Sequence, residues 1–375
     1  MSSNELPTIV LKDTKDLTIL GYYGFRVDSE HKDGRCEMDW PETAPTPTSI
    51  VLEAAYAKKT EQQVQQLILD AIRPELKGAE AYKVSQLIEA SISGDRYYIP
   101  TGWAQFDSHT RAFMPGTITI LAGNPGASKS FTVMQLLAQW VAQEIPVSAF
   151  LMEENLEHHL LRCLSQQSGL GGLTDPTWIR MNPDLARNAY LDYKEFLDMV
   201  SRSIYTAPQT LQTLATVAKW IDARAKAGDR IAIVDPVTAA SYETNQSWKE
   251  DGQFIMRIQQ IATEHDMSIL LVTHPIKSYD EPCLASISSG AAYQRFTQNV
   301  FWLKSHGTDE SHSGVVRTAV GTVEITYNRT LYVLKARNGH GDAKFAFQFD
   351  PQGLTISEKG VVIRENKRKK GEYED

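Results

Sequence analysis

The residues best suited to chemistry form a glycine-containing loop between a β-branched run and a stretch with apolar residues at helical spacing. The loop follows Thr117–Ala122 and reads GNPGASKS. In a strand–loop–helix unit, backbone N–H groups can surround phosphate oxygens, while a lysine adds charge and a serine hydroxyl can ligate Mg²⁺. This pattern predicts a nucleotide phosphate-binding loop. The expected contacts are Gly123, Asn124, Pro125, Gly126, Ala127, Ser128, Lys129, Ser130 and Phe131.

One position departs from the usual pattern. Loops of this kind have glycine directly before the lysine, and this chain has Ser128. A side chain there can crowd the phosphates or tilt the loop, because glycine reaches backbone conformations that other residues disfavour. Ser128 therefore bears on nucleotide affinity and turnover. The alternative interpretation, a Gly/Ser turn that opens an ordinary helix, fits the strand–loop–helix context less well.

Carboxylates stand at the ends of two further β-branched runs. Asp235 ends the run Ile231–Asp235, where an acid would hold Mg²⁺ or its water shell. Glu153 and Glu154 follow the apolar run from Val147, and a carboxylate there can orient and deprotonate an attacking water. Glu153 is the first choice and Glu154 the alternate. The competing interpretation is that both glutamates cap the next helix.

Two later runs carry groups that can respond to phosphate charge. His274 follows Ser268–Thr273 and can hydrogen-bond a γ-phosphate, although a lone histidine is more often structural. Lys335 and Arg337 stand two apart on a run from Leu331, so they face the same side of a strand. Two cations can neutralise charge on a transferring phosphoryl group. If the pair lies on the far side of its own domain, it serves a neighbour's nucleotide, as in a head-to-tail assembly.

The elements that must position these residues alternate between short β-branched runs and longer helical stretches, from about residue 97 onward. Such alternation predicts an α/β fold with a mostly parallel central sheet and helices on both faces. Ligands then belong at the carboxyl ends of the strands. The runs are Thr117–Ala122, Val147–Met152, Ser203–Thr206, Ile231–Asp235, Ser268–Thr273, Val300–Leu303 and Leu331–Ala336.

Outside this region the pattern is weaker. Residues 1–58 form a small N-terminal region that we expect to be irregular. Residues 59–96 read as a helical linker that packs on its own chain or on a neighbouring subunit. We expect the α/β domain over 97–355 and a charged tail over 356–375. Most such tails are solvated, and docking of a partner is the alternative.

Composition narrows the class of protein. The chain has 375 residues with 42% hydrophobic and 22% charged, which fits a soluble globular protein. A net charge of −8 argues against a wholly basic surface but leaves room for a local basic channel. Cys36, Cys163 and Cys283 lack metal or redox spacing. The start lacks the order of a signal peptide and no apolar run is long enough to cross a bilayer, so we expect a cytoplasmic protein.

Taken in order, the motifs resemble the DnaB-type replicative helicases, and especially their phage and mitochondrial branch. The resemblance covers about residues 97–350 and implies a RecA-like P-loop NTPase core that binds ATP and Mg²⁺. The N-terminal part of the chain does not resemble the family's usual N-domain. The matching stretches are Ile99–Gly102, Phe106-Asp107, Pro115-Gly116, Phe150–Glu153, Leu160–Arg162, Ser289–Gln294 and Lys335–Gly339.

The resemblance also implies roles and an assembly. It implies a hexameric ring that draws single-stranded DNA through its centre, 5′ to 3′, at a replication fork, in the host cytoplasm if the chain is phage-encoded. If the charged C-terminal tail is not simply solvated, replisome partners are the candidates to bind it. The implied roles are Glu153 as catalytic carboxylate, Asp235 as second Walker acid, Ser130 and Asp235 at Mg²⁺, His274 as γ-phosphate sensor, Gln294 as polar sensor, and Lys335 with Arg337 as trans-acting finger.

By the same resemblance, DNA contacts fall in the loops after the strands that end near Asp235 and His274, about Thr238–Gly252 and Ile276–Ser289. A tryptophan there can stack on a base and cations can meet phosphates. The alternative is that the loop lysines are merely solvated. The candidates are Trp248, Lys249, Lys277, Ser278 and Arg295.

Two other functions suit the same fold. One is a recombination or repair ATPase that forms filaments, since the same contact yields a helix when it does not close into a ring. The other is a nucleotide-regulated helicase loader with little turnover. The ring-shaped helicase is favoured by the pair Lys335 and Arg337 and by His274. Ser128 is the feature that leaves the helicase loader as an alternative function.

Overall fold

The computed structural model divides the chain into two compact units, residues 1–96 and 97–375. The division coincides with the change in sequence pattern near residue 97. In the second unit the structure describes residues 98–206, 212–275, 282–287, 290–307 and 312–365. In the first unit it describes 8–10, 27–30, 35–38, 88–89 and 91–92.

The first unit contains a small antiparallel sheet where we expected irregular structure. Its strands are β1 (Thr8–Val10), β2 (Val27–Glu30) and β3 (Arg35–Met38), in the order β1-β3-β2. Strands of three or four residues are too short for a period-two pattern to stand out in the sequence. Of the expected linker helices, the one from Thr60 lies outside the described residues. Of the one over Val84–Ile92, residues 88–89 and 91–92 are helical.

The second unit is built on a sheet whose first half is parallel, as predicted. The order of these strands is β9-β4-β8-β7-β5-β6, and every neighbouring pair in this half is parallel. Residues of the inner strands are buried along their whole length, as expected for a sheet covered on both faces. The strands are β4 (Ile118–Ala122), β5 (Val147–Leu151), β6 (Ile204–Thr206), β7 (Ile231–Asp235), β8 (Ser268–Thr273) and β9 (Asn299–Ser305).

The other half of the sheet is antiparallel and extends it beyond β9 in the order β12-β13-β14-β10-β11. Within the described residues the sheet thus has six parallel strands and five antiparallel ones, so "mostly parallel" understates the antiparallel part. β14 also carries the unit past residue 355 to Glu365, where we had placed the charged tail. The strands are β10 (His312–Thr318), β11 (Gly321–Tyr327), β12 (Arg329–Ala336), β13 (Ala343–Asp350) and β14 (Thr355–Glu365).

Helices cover both faces of the sheet, as predicted. Along β4, Leu121 packs into one core cluster while Ile120 and Ala122 pack into the other, which is the alternation expected of a strand. No helix in the described ranges is long and apolar enough to span a membrane. The helices are α1 (Ala104–Thr110), α2 (Lys129–Ala142), α3 (Leu156–Ser168), α4 (Pro176–Met181), α5 (Pro183–Arg202), α6 (Leu214–Lys226), α7 (Ser247–Glu264) and α8 (Gly290–Phe296).

Helix α1 is tied to the rest of the unit through two acids. The backbone N–H groups of Gln105 and Phe106 donate to the Glu358 carboxylate of β14 at 3.0 and 2.7 Å. The Asp107 carboxylate accepts from the Thr101 N–H at 2.9 Å and from the Thr101 hydroxyl at 2.8 Å. Burial raises the pKa of Asp107 to about 6, and the nearby Glu358 charge acts in the same direction, while the Thr101 hydrogen bonds oppose the shift.

We expect the Asp107 carboxyl to make the stability of the unit depend on pH. Its pKa is raised on folding from 3.8 to about 6, so its stabilising contribution is complete below about pH 4 and is lost as pH rises through about 6. The change is on the order of 3 kcal/mol, since the shift from 3.8 to about 6 is roughly two pKa units and each unit corresponds to about 1.4 kcal/mol. Urea unfolding of wild type and Asp107→Asn from pH 4 to 8 measures it. A constant difference in unfolding free energy across this range contradicts the prediction.

Candidate functional site

The phosphate loop has the sharp strand-to-helix turn that its sequence predicts. It leaves β4 at Ala122 and enters α2 at Lys129. Gly126 and Ser128 both have left-handed backbone, with φ of 77° and 76°. Gly123 lies so close to β9 that an added Cβ would sit 2.4 Å from the Leu303 carbonyl oxygen. These positions turn the backbone tightly enough for successive N–H groups to face one ligand.

Lys129 and Asp235 are buried next to the loop. The Lys129 ammonium donates to the carbonyl oxygens of Gly123 and Asn124 at 2.7 and 3.2 Å. Burial lowers the Lys129 pKa, and the Asp235 and Glu153 charges oppose that shift. Asp235 ends β7, and burial raises its pKa to about 6. A hydrogen bond from the hydroxyl of Ser130, in the first turn of α2, opposes that shift. The two side chains expected to ligate Mg²⁺, those of Ser130 and Asp235, are therefore adjacent.

Glu153 and His274 meet at the same edge of the sheet. They follow β5 and β8, and the Nε2 atom of His274 is 3.7 Å from the Oε1 atom of Glu153. Burial lowers the pKa of His274, Lys129 acts in the same direction, and Glu153 opposes both. Helix α3 is capped by Asn155, whose side chain accepts from the His158 N–H, so Glu153 does not serve as that cap. We call this edge, formed by the carboxyl ends of the parallel strands, the phosphate edge.

Two arginines at the phosphate edge received no role in the sequence analysis. Arg162 on α3 lies among Glu154, Asp235 and Glu153, whose charges oppose the lowering of its pKa by burial. The signal available in the sequence was its position within a helix, nine residues after the carboxylate that follows a strand. Arg329 contacts Ser128 from β12, which is distant in the sequence. Because that contact spans 201 residues, no local pattern could have predicted it.

Lys335 and Arg337 lie at the opposite edge of the sheet. Ala336 pairs with Asn299 at the start of β9, whereas the phosphate loop begins where β4 ends. The Lys335 ammonium donates to the Gln294 carbonyl oxygen at 2.6 Å, and the exposed Arg337 donates to the Arg295 carbonyl oxygen at 3.2 Å. Among the described residues neither cation has a carboxylate partner. We call these two residues the cation pair.

The other predicted site residues fall into three groups. Gln294 and Arg295 accompany the cation pair on α8 and are not brought to the phosphate loop of their own chain. Trp248, with 72% of its surface exposed, and exposed Lys249 lie in the first turn of α7. The loop expected to run to Gly252 therefore ends at α7, which starts at Ser247. Lys277 and Ser278 lie outside the described residues.

The early start of α7 has a local cause. The Glu250 carboxylate folds back over the preceding turn and accepts from the N–H groups of Glu243 and Thr244 at 2.9 and 2.6 Å. It also accepts from the Thr244 hydroxyl at 2.5 Å. These bonds satisfy backbone donors of the turn, which leaves Trp248 and Lys249 projecting from a fixed helical turn.

The glycine after the cation pair is held against α1. The N–H of His340 donates to the His109 carbonyl oxygen at 2.8 Å. A Cβ on Gly339 would lie 2.1 Å from that oxygen and 2.7 Å from the Thr110 Cα. Both are backbone atoms and cannot rotate away, so a side chain at this position must displace the turn that carries Arg337.

We expect Gly339→Ala to lower the free energy of unfolding by about 1–3 kcal/mol, the usual cost of overpacking. Gly341→Ala is the matched control, because the nearest atom to a Cβ there is the Ala336 nitrogen at 3.8 Å. Chemical denaturation of both variants checks the difference. Equal stability of the two would show that the turn is not packed as described.

Comparisons with known proteins find sequence matches for part of this chain. Residues 108–280 match the AAA domain family. A segment is 29% identical over 87 residues to the replicative DNA helicase DnaB of one Helicobacter pylori strain, covering 21% of this chain and 18% of the helicase. In a second strain the identity is 31% over 72 residues, covering 19% and 15%. The matched segment thus spans less than one fifth of either relative.

Solved structures extend the likeness to the fold. One solved ATPase domain superimposes with a TM-score of 0.60 at 12% identity, covering 74% of this chain and 97% of that domain. A DnaB-like replicative helicase, solved in a study of its interactions with primase, gives 0.57 at 11% identity, covering 83% and 74%. The RecA-like fold that the resemblance implies is confirmed, since this chain shares its fold with both of these solved structures.

Proposed function

We propose that this chain hydrolyses ATP to drive movement along single-stranded DNA, as a replicative helicase does. One observation carries the proposal: Lys129, Ser130, Asp235, Glu153 and His274 converge at the phosphate edge, although they come from four different strand ends. This set of side chains suits transfer of a phosphoryl group to water, because it combines a lysine, a hydroxyl, two acids and a histidine.

The phosphate edge suits ATP together with Mg²⁺. The Ser130 hydroxyl and the Asp235 carboxylate supply oxygen ligands, which Mg²⁺ prefers. No group of three or more His, Cys, Asp or Glu side chains converges on a metal site in the part of the chain that the structure describes. The remaining ligands would therefore be phosphate oxygens and water. When bound, the ion would neutralise charge on the β- and γ-phosphates.

Each side chain then has a distinct task. Glu153 orients a water molecule and accepts its proton as the water attacks the γ-phosphorus, while the bond from that phosphorus to the β–γ bridging oxygen breaks and ADP leaves. Lys129 leaves the loop carbonyls and donates to the phosphates instead. His274, 3.7 Å from Glu153, reaches both the water and the γ-phosphate and can couple loss of that phosphate to β8. We propose Glu153 rather than Glu154 as the base because of this contact with His274.

The cation pair supports an assembly in which active sites are shared. Lys335 and Arg337 lie at the edge opposite their own phosphate loop, without a carboxylate partner among the described residues. A second copy placed head to tail would bring the pair to its neighbour's nucleotide. We propose a hexameric ring on this basis and on the resemblance to DnaB-type helicases, with Gln294 beside the pair as a polar sensor.

The proposal extends to the DNA and to the cellular setting. Single-stranded DNA would pass through the ring, 5′ to 3′, with Trp248 stacking on a base and Lys249 meeting a phosphate. Lys277, Ser278 and Arg295 remain candidate contacts. Replisome partners would bind the charged C-terminal tail. The protein would act in the cytoplasm, which is that of the host cell if the chain is phage-encoded.

Steady-state ATP hydrolysis with and without single-stranded DNA, followed by strand separation on a forked duplex, tests this function. We expect hydrolysis that DNA stimulates, and unwinding that requires a free 5′ tail. Hydrolysis without stimulation or unwinding would instead favour the nucleotide-regulated loader. Electron microscopy with a non-hydrolysable ATP analogue separates closed rings from the filaments of a recombination ATPase.

A further inference from the structure

Arg329 is a buried cation at the phosphate edge that the proposed chemistry does not use. It opens β12 and pairs with Ser305 at the end of β9. Only 4% of its surface is exposed, and burial lowers its pKa. In the described ranges no carboxylate lies within ion-pair distance of its guanidinium. The group is held instead by the Asn328 carbonyl oxygen at 2.9 Å and by the Phe349 ring, whose centroid is 5.0 Å away.

The remaining contact of Arg329 is with the phosphate loop. Its Nε and Nη2 atoms donate to the Oγ of Ser128 at 3.3 and 3.0 Å, so two N–H groups converge on one oxygen. Ser128 is the residue that stands where loops of this kind have glycine. It is 8% exposed, and its backbone is left-handed, with φ of 76° and ψ of 23°.

These two observations explain each other. A residue with a Cβ is disfavoured in the left-handed region, so Ser128 tends to leave the conformation that the loop needs. A charge-assisted hydrogen bond is about twice as strong as a neutral one, and two of them fix the Ser128 hydroxyl. The Nε and Nη2 groups of the buried guanidinium in turn gain an oxygen acceptor.

We propose that Ser128 and Arg329 together replace the missing glycine, with Arg329 as a positioning residue that holds the phosphate loop in its nucleotide-binding conformation. This inference rests on the proposed nucleotide-binding function. It differs from a direct role for Arg329 at the phosphates, because it predicts that Arg329 is needed only while residue 128 carries a side chain.

A double-mutant cycle measures that dependence. In the wild-type background we expect Arg329→Met to weaken binding of a fluorescent ATP analogue with Mg²⁺ about tenfold, the range for losing one hydrogen bond to a charged group. In the Ser128→Gly background the same change should weaken binding less than about twofold, since the strain is gone. Ser128→Ala keeps the strain and removes the acceptor, so it should weaken binding more than Ser128→Gly does.

Controls separate this inference from the proposed function. Lys344→Met removes a half-exposed cation of the same sheet that pairs with Glu365 at 3.1 Å, and it should leave binding unchanged. Equal losses from Arg329→Met in both backgrounds would overturn the inference and point to a direct phosphate contact, while leaving nucleotide binding intact. If Arg329→Met does not fold, the contrast between Ser128→Ala and Ser128→Gly decides, and equal binding by those two overturns it.

A wild-type chain that binds no ATP analogue would refute the proposed function instead. The pair is then judged on thermal unfolding of the nucleotide-free full chain. Arg329→Met should lower the midpoint temperature of unfolding more in the wild-type background than in the Ser128→Gly background. Only in the wild-type background does the change leave a strained residue at position 128 without its hydrogen-bond partner. Additive shifts of the midpoint would overturn the inference independently of any nucleotide.

Discussion

We expect Lys129→Ala to reduce steady-state ATP hydrolysis by about 10²–10³-fold, the range for removing one donor that stabilises developing charge. Lys129 is 6% exposed, and its charge interacts with those of both Asp235 and Glu153. It is held by two loop carbonyl oxygens, at 2.7 Å and 3.2 Å, that a phosphate can replace as acceptors. Nucleotide binding should weaken as well, because the loop loses its own cation.

The matched control for this variant is Lys226→Ala. Lys226 is an exposed lysine on α6 that pairs with Asp222 one helical turn away at 2.6 Å. Exposed pairs of this kind contribute little, so hydrolysis should stay unchanged. Circular dichroism and thermal unfolding of both variants exclude loss of fold as the cause. Retention of wild-type hydrolysis by folded Lys129→Ala would remove this loop from the active site.

The parallel half of the fold was predictable because its signals are local. The runs Ile231–Asp235 and Ser268–Thr273 were predicted with the bounds that the structure shows. Each is fully buried, so it reads as an unbroken apolar run with a polar group at its end. Since parallel strands end at one edge, the strand-end positions predicted for Asp235, Glu153 and His274 place all three at the edge where ligands belong.

The antiparallel half was largely missed, because its strands lack such runs. β11 is mostly exposed, and β14 carries several charged residues among its apolar ones. Register shifts between Val315 and Val316, and between Ala346 and Phe347, also break the alternation that identifies a half-buried strand. The backbone hydrogen bonds of these strands are made to neighbouring strands, and the sequence of one segment alone does not show that pairing.

Contacts between residues that are far apart in the sequence could not be predicted, for the same reason. Ser128 stood out as a departure from pattern, but its partner Arg329 is 201 positions away, at the start of β12. The side chain does not simply crowd the loop, because its hydroxyl is directed to the guanidinium. The cation pair, in contrast, was predictable as a pair, since a spacing of two on a strand needs no long-range knowledge.

We expect Arg337→Ala to reduce ATP hydrolysis by about 10³-fold or more, the effect of removing an arginine that stabilises transferring phosphate from a neighbouring subunit. Within its own chain the exposed Arg337 side chain donates to the Arg295 carbonyl oxygen at 3.2 Å, so its loss should leave folding intact. Nucleotide binding should persist, because the phosphate loop is unchanged. Arg187→Ala is the control, since Arg187 is exposed and pairs only locally with Asp184.

Mixing two inactive variants tests whether the site is shared between copies. In a mixed assembly of Lys129→Ala and Arg337→Ala, some interfaces join an intact Lys129 of one copy to an intact Arg337 of the next. With equal amounts and random order, about one quarter of the head-to-tail interfaces are intact. Hydrolysis should therefore recover well above that of either variant alone. If the mixture assembles and binds nucleotide but stays inactive, Arg337 does not act across subunits, and the ring loses its main structural argument.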